Sequence, residues 1–139
     1  MKLRDATQTD FDFVAANSAF PQHGFKEPLQ STYCVALEQD NDVVAVGGLV
    51  MITTTTAWTF CEITTFAAEH KIELVRNMRD YLDMMILDLG LTRLQAWVDP
   101  SRPEAIKLVK HLGFVDEFIM KDFLGFDKPA IMFVRLTGA

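Results

Sequence analysis

Residues 94–114 read LQAWVDPSRPEAIKLVKHLGF, and the order of signals inside this stretch decides the fold. The run from Leu91 to Val98 is short and apolar on both faces, which predicts a strand buried inside a sheet. Asp99-Pro100 turns the chain. Ser101, with Glu104 three residues later, forms the signature of a capping box that opens a helix. Ala105, Leu108 and Leu112 recur on one face of that helix, Gly113 ends it, and Phe114 begins the next strand. A buried strand is thus followed by a helix and another strand.

Working outward, strands are predicted at about Phe114–Lys121 and Ala130–Leu136, closing the chain as a hairpin. Upstream, a long helix is predicted from Glu69 to Leu89. Ile72, Val75, Leu82, Ile86 and Leu89 supply its apolar stripe, widened by Met78 and Met85, with Gly90 as the residue past its end. Before it, Thr32–Leu37, Val43–Ile52 and Ala57–Thr65 read as three consecutive antiparallel strands. Gly47-Gly48 in the middle strand predicts a bulge or a close backbone approach. At the start, Lys2–Ala6 reads as a strand and Thr9 as the cap of a helix carrying Asp10 and Asp12 in its first turn. Pro21, Gly24 and Pro28 mark Phe20–Gln30 as a loop. The order is β-α-β-β-β-α-β-α-β-β, a single α+β domain over residues 1–139 with a mixed, mostly antiparallel sheet flanked by helices.

The 139 residues are 50% hydrophobic and 23% charged, enough to bury a core and too apolar for intrinsic disorder. Nineteen acidic against thirteen basic residues give a net charge of −6. That balance argues against nucleic acid as the main partner. Cys34 and Cys61 have no metal-ligand spacing, so no metal site is expected, and both read as buried free thiols in strands. The N-terminal residues have no apolar stretch behind their positive charges, and Val43–Ile52 is too short to span a bilayer. The expectation is a cytoplasmic protein without a membrane partner.

With the residues 94–114 in view, the chain resembles the GNAT superfamily of acyl-coenzyme A N-acyltransferases. Ala105, Ile106, Leu108, Gly113 and Phe114 match in place the family's second motif, a valine-ended strand followed by N-x-x-A-I-x-L-Y-x-x-x-G-F. The closing stretch from Phe123 to Phe133 resembles the family's last hairpin. The resemblance covers essentially the whole chain and is strongest from Thr92 onward. It implies a GNAT-like sheet, acetyl-coenzyme A as cofactor, and direct attack of an amine of a small molecule or peptide on the thioester. It also implies that Glu62, in the fourth strand, takes the amine proton. Backbone N–H groups at Ile63, Thr64 and Thr65 would polarise the thioester carbonyl beside the acyl-pantetheine arm. A homodimer through strand edges or the final hairpin is compatible with this architecture.

The sequence departs from the family at the loop that opens the long helix. There the family has R/Q-x-x-G-x-G/A, whose glycines bring bare backbone to the pyrophosphate. The equivalent stretch here is Ala68-Glu69-His70-Lys71-Ile72-Glu73, with neither glycine. His70 and Lys71 would have to reach the phosphates with side chains. Arg102 stands at the asparagine of the second motif, either as a phosphate ligand or as a surface arginine. Val109 stands at its tyrosine and can donate no proton, while His111 reads as a surface histidine. Two functions therefore remain open. One is a small N-acetyltransferase. The other is a catalytically degenerate, phage-associated GNAT-like protein that binds a protein partner, in a virion for example, and does not use acetyl-coenzyme A.

Overall fold

The computed structural model describes residues 1–19 and 33–138. Among the described residues, ten regular elements follow the predicted order. They are β1 (Lys2–Asp5), α1 (Gln8–Ala16), β2 (Tyr33–Gln39), β3 (Asp42–Met51), β4 (Thr56–Ile63), α2 (Lys71–Leu89), β5 (Arg93–Val98), α3 (Pro103–His111), β6 (Val115–Met120) and β7 (Ala130–Leu136). A 3-10 turn, Thr65–Glu69, joins β4 to α2. The strands hydrogen-bond in the order β1-β2-β3-β4-β5-β7-β6. The pairings β1/β2, β2/β3, β5/β7 and β6/β7 are antiparallel, and β4/β5 is parallel. The predicted loop Phe20–Gln30 lies outside the described residues. The chain forms two compact units, Met1–Met51 with Thr59–Met78, and Ile52–Trp58 with Arg79–Ala139.

In the first unit, two apolar clusters explain why β3 reads as an unbroken apolar run. Phe11 and Val14 of α1 pack with Ala36, Val43 and Val46. Leu37, Val44 and Ala45 pack with Ala67 of the 3-10 turn and Leu74 of α2. Successive residues of a strand point to opposite faces, so β2 and β3 are covered on both. The paired glycines make a close approach, as expected: a β-carbon on Gly48 would lie 1.8 Å from the Tyr33 carbonyl oxygen, and one on Gly47 2.8 Å from that of Phe60. The register shift between β2 and β3 lies elsewhere, between Leu37 and Glu38.

Helix α1 starts two residues before the prediction. Its cap is Thr7, not Thr9, because Asp10 must stand three residues after the cap to reach back to the cap's N–H. The Thr7 N–H donates to Asp10 Oδ2 at 2.7 Å, and the Asp10 N–H donates to Thr7 Oγ1 at 3.4 Å. Cys61 is exposed and Cys34 half-buried, correcting the expectation of two buried thiols. Cys61 has as its neighbour Gly47, which has no side chain to cover it.

The second unit contains the stretch that decides the fold. Strand β5 lies between β4 and β7, with Thr56, Ala57 and Trp58 opposite Arg93, Leu94 and Gln95. Leu94 is fully buried, but Trp97 is partly exposed and its ring lies 5.4 Å from that of Phe123. Helix α3 begins at Pro103 rather than Ser101. The fixed φ and missing N–H of proline suit the first helical position, which makes Arg102 the cap residue. Ser101 instead turns its N–H and its hydroxyl to Asp99 Oδ1, each at 2.9 Å. The inward face of α3 is centred on Val109 and Leu112, not on Ala105 and Leu108. Gly90 (φ +65) and Gly113 (φ +92) adopt the left-handed backbone expected past the ends of α2 and α3.

Helix α2 buries Leu74, Tyr81, Leu82 and Met85, whereas Ile72, proposed as the first residue of the stripe, is 77% exposed. The helix starts at Lys71 because Thr65–Glu69 winds into its own turn first, which sets the inward face from Leu74 onward.

Candidate functional site

The residues singled out from the sequence, Arg102 apart, meet where β4 ends, the 3-10 turn winds and α2 begins. Glu62 is the penultimate residue of β4 and is half-buried, not the freely exposed strand glutamate that its charge would predict. Its Oε1 accepts a hydrogen bond from the Ser18 hydroxyl. Ser18 arrives from the far side of the sequence by a simple local route. Asn17 ends α1, with its N–H donating to the Phe13 and Val14 carbonyls and its Nδ2 to Phe13 O at 2.8 Å. The next residues run antiparallel to the end of β4, pairing Ser18 with Thr64.

That pairing uses backbone groups on one edge of the strand. The Ala19 N–H donates to Ile63 O at 2.9 Å, and the Thr65 N–H donates to Asn17 O at 3.1 Å. Thr64, between them, turns the other way: its N–H donates to Val44 O at 2.9 Å, towards β3. Its hydroxyl donates to the same carbonyl at 2.9 Å, and the residue is 1% exposed. Alternate residues of a strand present their amides to alternate edges, so both edges are engaged at this point. The N–H groups of Thr64 and Thr65 therefore have acceptors within the chain, and Thr64 is a core residue.

The 3-10 turn closes on itself in the same way. The Ala67 N–H donates to Thr64 O at 3.1 Å and the His70 N–H to Ala67 O at 3.0 Å. Ala67 is buried, and Phe66 lies stacked on Phe13 with ring centroids 6.1 Å apart. An open glycine loop would leave such amides facing a ligand; a wound turn with alanine side chains does not. Helix α2 then starts with the Leu74 N–H donating to His70 O at 2.8 Å. The N–H groups of Lys71, Ile72 and Glu73 belong to the first turn, which has no intrahelical acceptors for them. Lys71 and Glu73 are exposed and His70 is half-buried, so two basic side chains flank this positive helix end, against Glu69 and Glu73.

Arg102 belongs to the second unit and does not face open solvent. Its side chain is 11% exposed, and Nε lies 3.6 Å from Asp99 Oδ2. Val109, at the position of the motif's tyrosine, is buried in the core of α3's inner face, and His111 is exposed. Ser18 escaped the sequence reading because it stands 44 residues from Glu62 in a segment with no motif. Only the strand pairing brings the two together.

The sequence matches no protein-family model and no curated protein. Solved structures give matches over nearly the whole chain. Ard1 from Thermoplasma volcanium superposes with a TM-score of 0.83 at 12% identity, over 99% of this chain and 98% of that one. A phosphinothricin N-acetyltransferase, so described provisionally, gives 0.78 at 17% identity over 99% of both chains. The ribosomal-protein-S18-alanine N-acetyltransferase of Escherichia coli gives 0.73 at 18% identity, over 99% and 95%. Identities this low carry the architecture and leave chemistry to the site. Among the described residues, the seven-stranded mixed sheet and three helices have the GNAT fold that these structures share.

Proposed function

We propose that this protein is an N-acyltransferase that moves an acetyl group from acetyl-coenzyme A to an amine, with Glu62 as the proton acceptor. The observation that carries the reading is the half-buried Glu62 carboxylate at the end of β4, held by the Ser18 hydroxyl in a GNAT fold. A fixed carboxylate can take the proton that an amine loses on attacking a carbonyl carbon. Acetyl-coenzyme A, when bound, supplies the acyl group already activated as a thioester. The first-turn N–H groups of α2, with Lys71 and His70 beside them, are the groups that fit its diphosphate. Of the three backbone donors expected at the carbonyl, those of Thr64 and Thr65 are engaged within the chain. The net charge of −6 suits a cationic acceptor.

A second reading is favoured by a specific observation: the wound 3-10 turn and the engaged amides of Thr64, Thr65, Ala67 and His70 leave little bare backbone for a pyrophosphate. In that reading the protein is a GNAT-fold scaffold for a protein partner, as a phage-associated member would be. Calorimetric titration with acetyl-coenzyme A separates the two. Micromolar binding, followed by acetyl transfer to one of a panel of primary amines (a polyamine, an amino-acid analogue, a peptide with N-terminal alanine), supports the enzyme. No heat of binding at millimolar cofactor assigns the fold to the scaffold.

A further inference from the structure

The segment that follows α1 does more than cover the end of β4. Two backbone hydrogen bonds, Ala19 N–H to Ile63 O and Thr65 N–H to Asn17 O, bracket Ser18 and set it opposite Thr64. Glu62 stands two residues before Thr64, on the same face of β4. Ser18 and Glu62 are therefore diagonal neighbours across two paired strands, a separation that a serine and a glutamate side chain together can span. Thr64 is itself pinned, through its N–H and its hydroxyl, to Val44 O. The backbone at Ser18 is thus set by hydrogen bonds on both sides before its hydroxyl meets the carboxylate.

We infer that Ser18 is the positioning residue for Glu62, its hydroxyl holding the carboxylate oriented and ionised for the proton transfer. The inference rests on the acyltransferase reading for its catalytic meaning, and on geometry alone for the contact. A hydroxyl that donates to a carboxylate stabilises the charged form, so removing it makes the carboxylate easier to protonate. Among the described residues of the neighbouring segments, other titratable groups are few. Asn17, Ser18 and Ala19 carry none, nor does β3 from Val43 to Leu49. Cys61 alternates to the opposite face of β4, yet its thiol still interacts electrostatically with the Glu62 carboxylate. The carboxylates of α1, Asp10 and Asp12, sit in its first half, away from Asn17, and Asp10 is bound by Arg4. At the far side of the turn stand Glu69, His70, Lys71 and Glu73.

The test compares wild type, Ser18→Ala and Ser18→Thr by two measurements. The first is the carboxyl-carbon NMR titration of Glu62, which needs no activity. The second is the pH profile of kcat/KM for acetyl transfer. In Ser18→Ala the Glu62 titration and the acid limb of the profile should both move up by about one pH unit, and Ser18→Thr should restore both. Amide protection of Ala19 and Thr65 should persist in all three, showing that the segment is still seated. An unchanged Glu62 titration in Ser18→Ala overturns the positioning role, whatever the activity does. A shifted titration in a protein whose wild type transfers no acetyl group overturns the enzyme reading alone, and the Ser18–Glu62 contact stands.

Discussion

Arg4 grips Asp10 with both arms of its guanidinium, Nη1 lying 2.7 Å from Oδ2 and Nη2 2.8 Å from Oδ1. Asp10 is also the third residue of α1 and accepts the Thr7 N–H, so one carboxylate joins the first strand to the cap of the first helix. The Arg4 guanidinium, aided by Thr7, holds this carboxyl below its ordinary range in spite of burial, which acts the other way.

A carboxyl depressed in the folded state stabilises the protein above its unfolded pKa of about 3.9, and that contribution is lost as pH falls through the folded value. Asp10→Asn should therefore be less stable than wild type by about 1–2 kcal/mol at pH 7. The gap should close as the pH drops below 4. Urea unfolding at pH 7, 4 and 2.5 measures it, and a gap that does not vary with pH would place the loss in packing instead.

Gly48→Ala should cost far more than Gly90→Ala. A β-carbon at Gly48 would meet the Tyr33 carbonyl oxygen at 1.8 Å, so β2 and β3 must separate, a loss of about 3 kcal/mol or more. At Gly90 nothing lies within 4 Å, and only the positive φ of 65° opposes a side chain, for about 1 kcal/mol. Thermal denaturation of the two variants side by side orders them.

Thr64→Val should lose about 1 kcal/mol, because the buried hydroxyl donates to Val44 O and valine keeps the shape without the donor. Thr65→Val, at an exposed position, should fall within about 0.5 kcal/mol of wild type. If Thr64 served the thioester through its side chain instead of the core, Thr64→Val would change acetyl-coenzyme A affinity while leaving stability alone.

Glu62→Gln should lower kcat/KM for acetyl transfer by about 10²- to 10⁴-fold, the usual range for a general base. Its acetyl-coenzyme A affinity should stay close to wild type, since the side chain acts on the amine. Steady-state kinetics beside calorimetric titration separate these effects, and a variant with full kcat would remove Glu62 from the chemistry.

Much of the architecture was legible residue by residue. Gly90, Gly113 and the apolar runs they bound mark the elements, because turn chemistry and periodicity act over a few residues. Boundaries failed where two local signals competed. Thr9 and Ser101 both look like helix caps, yet Asp10 drew the first helix back to Thr7 and Pro103 moved the third one on. Ile72 looked like core, but whether a helical residue faces inward depends on where the helix starts, and the wound turn before Lys71 set that.

The amino-acid sequence by itself determined the order of elements, the fold class, the left-handed glycines, the missing glycine loop and the one carboxylate in β4 worth testing. These depend on residue type and spacing, which are local. Only the tertiary structure decided that the Thr64 and Thr65 amides have acceptors in the chain, that Arg102 is paired with Asp99, and that Ser18 meets Glu62. Thr64 and Val44 are 20 residues apart, Ser18 and Glu62 44. Such pairings follow from strand register, which depends on how β3, β4 and the end of α1 pack together, and no short-range pattern records it.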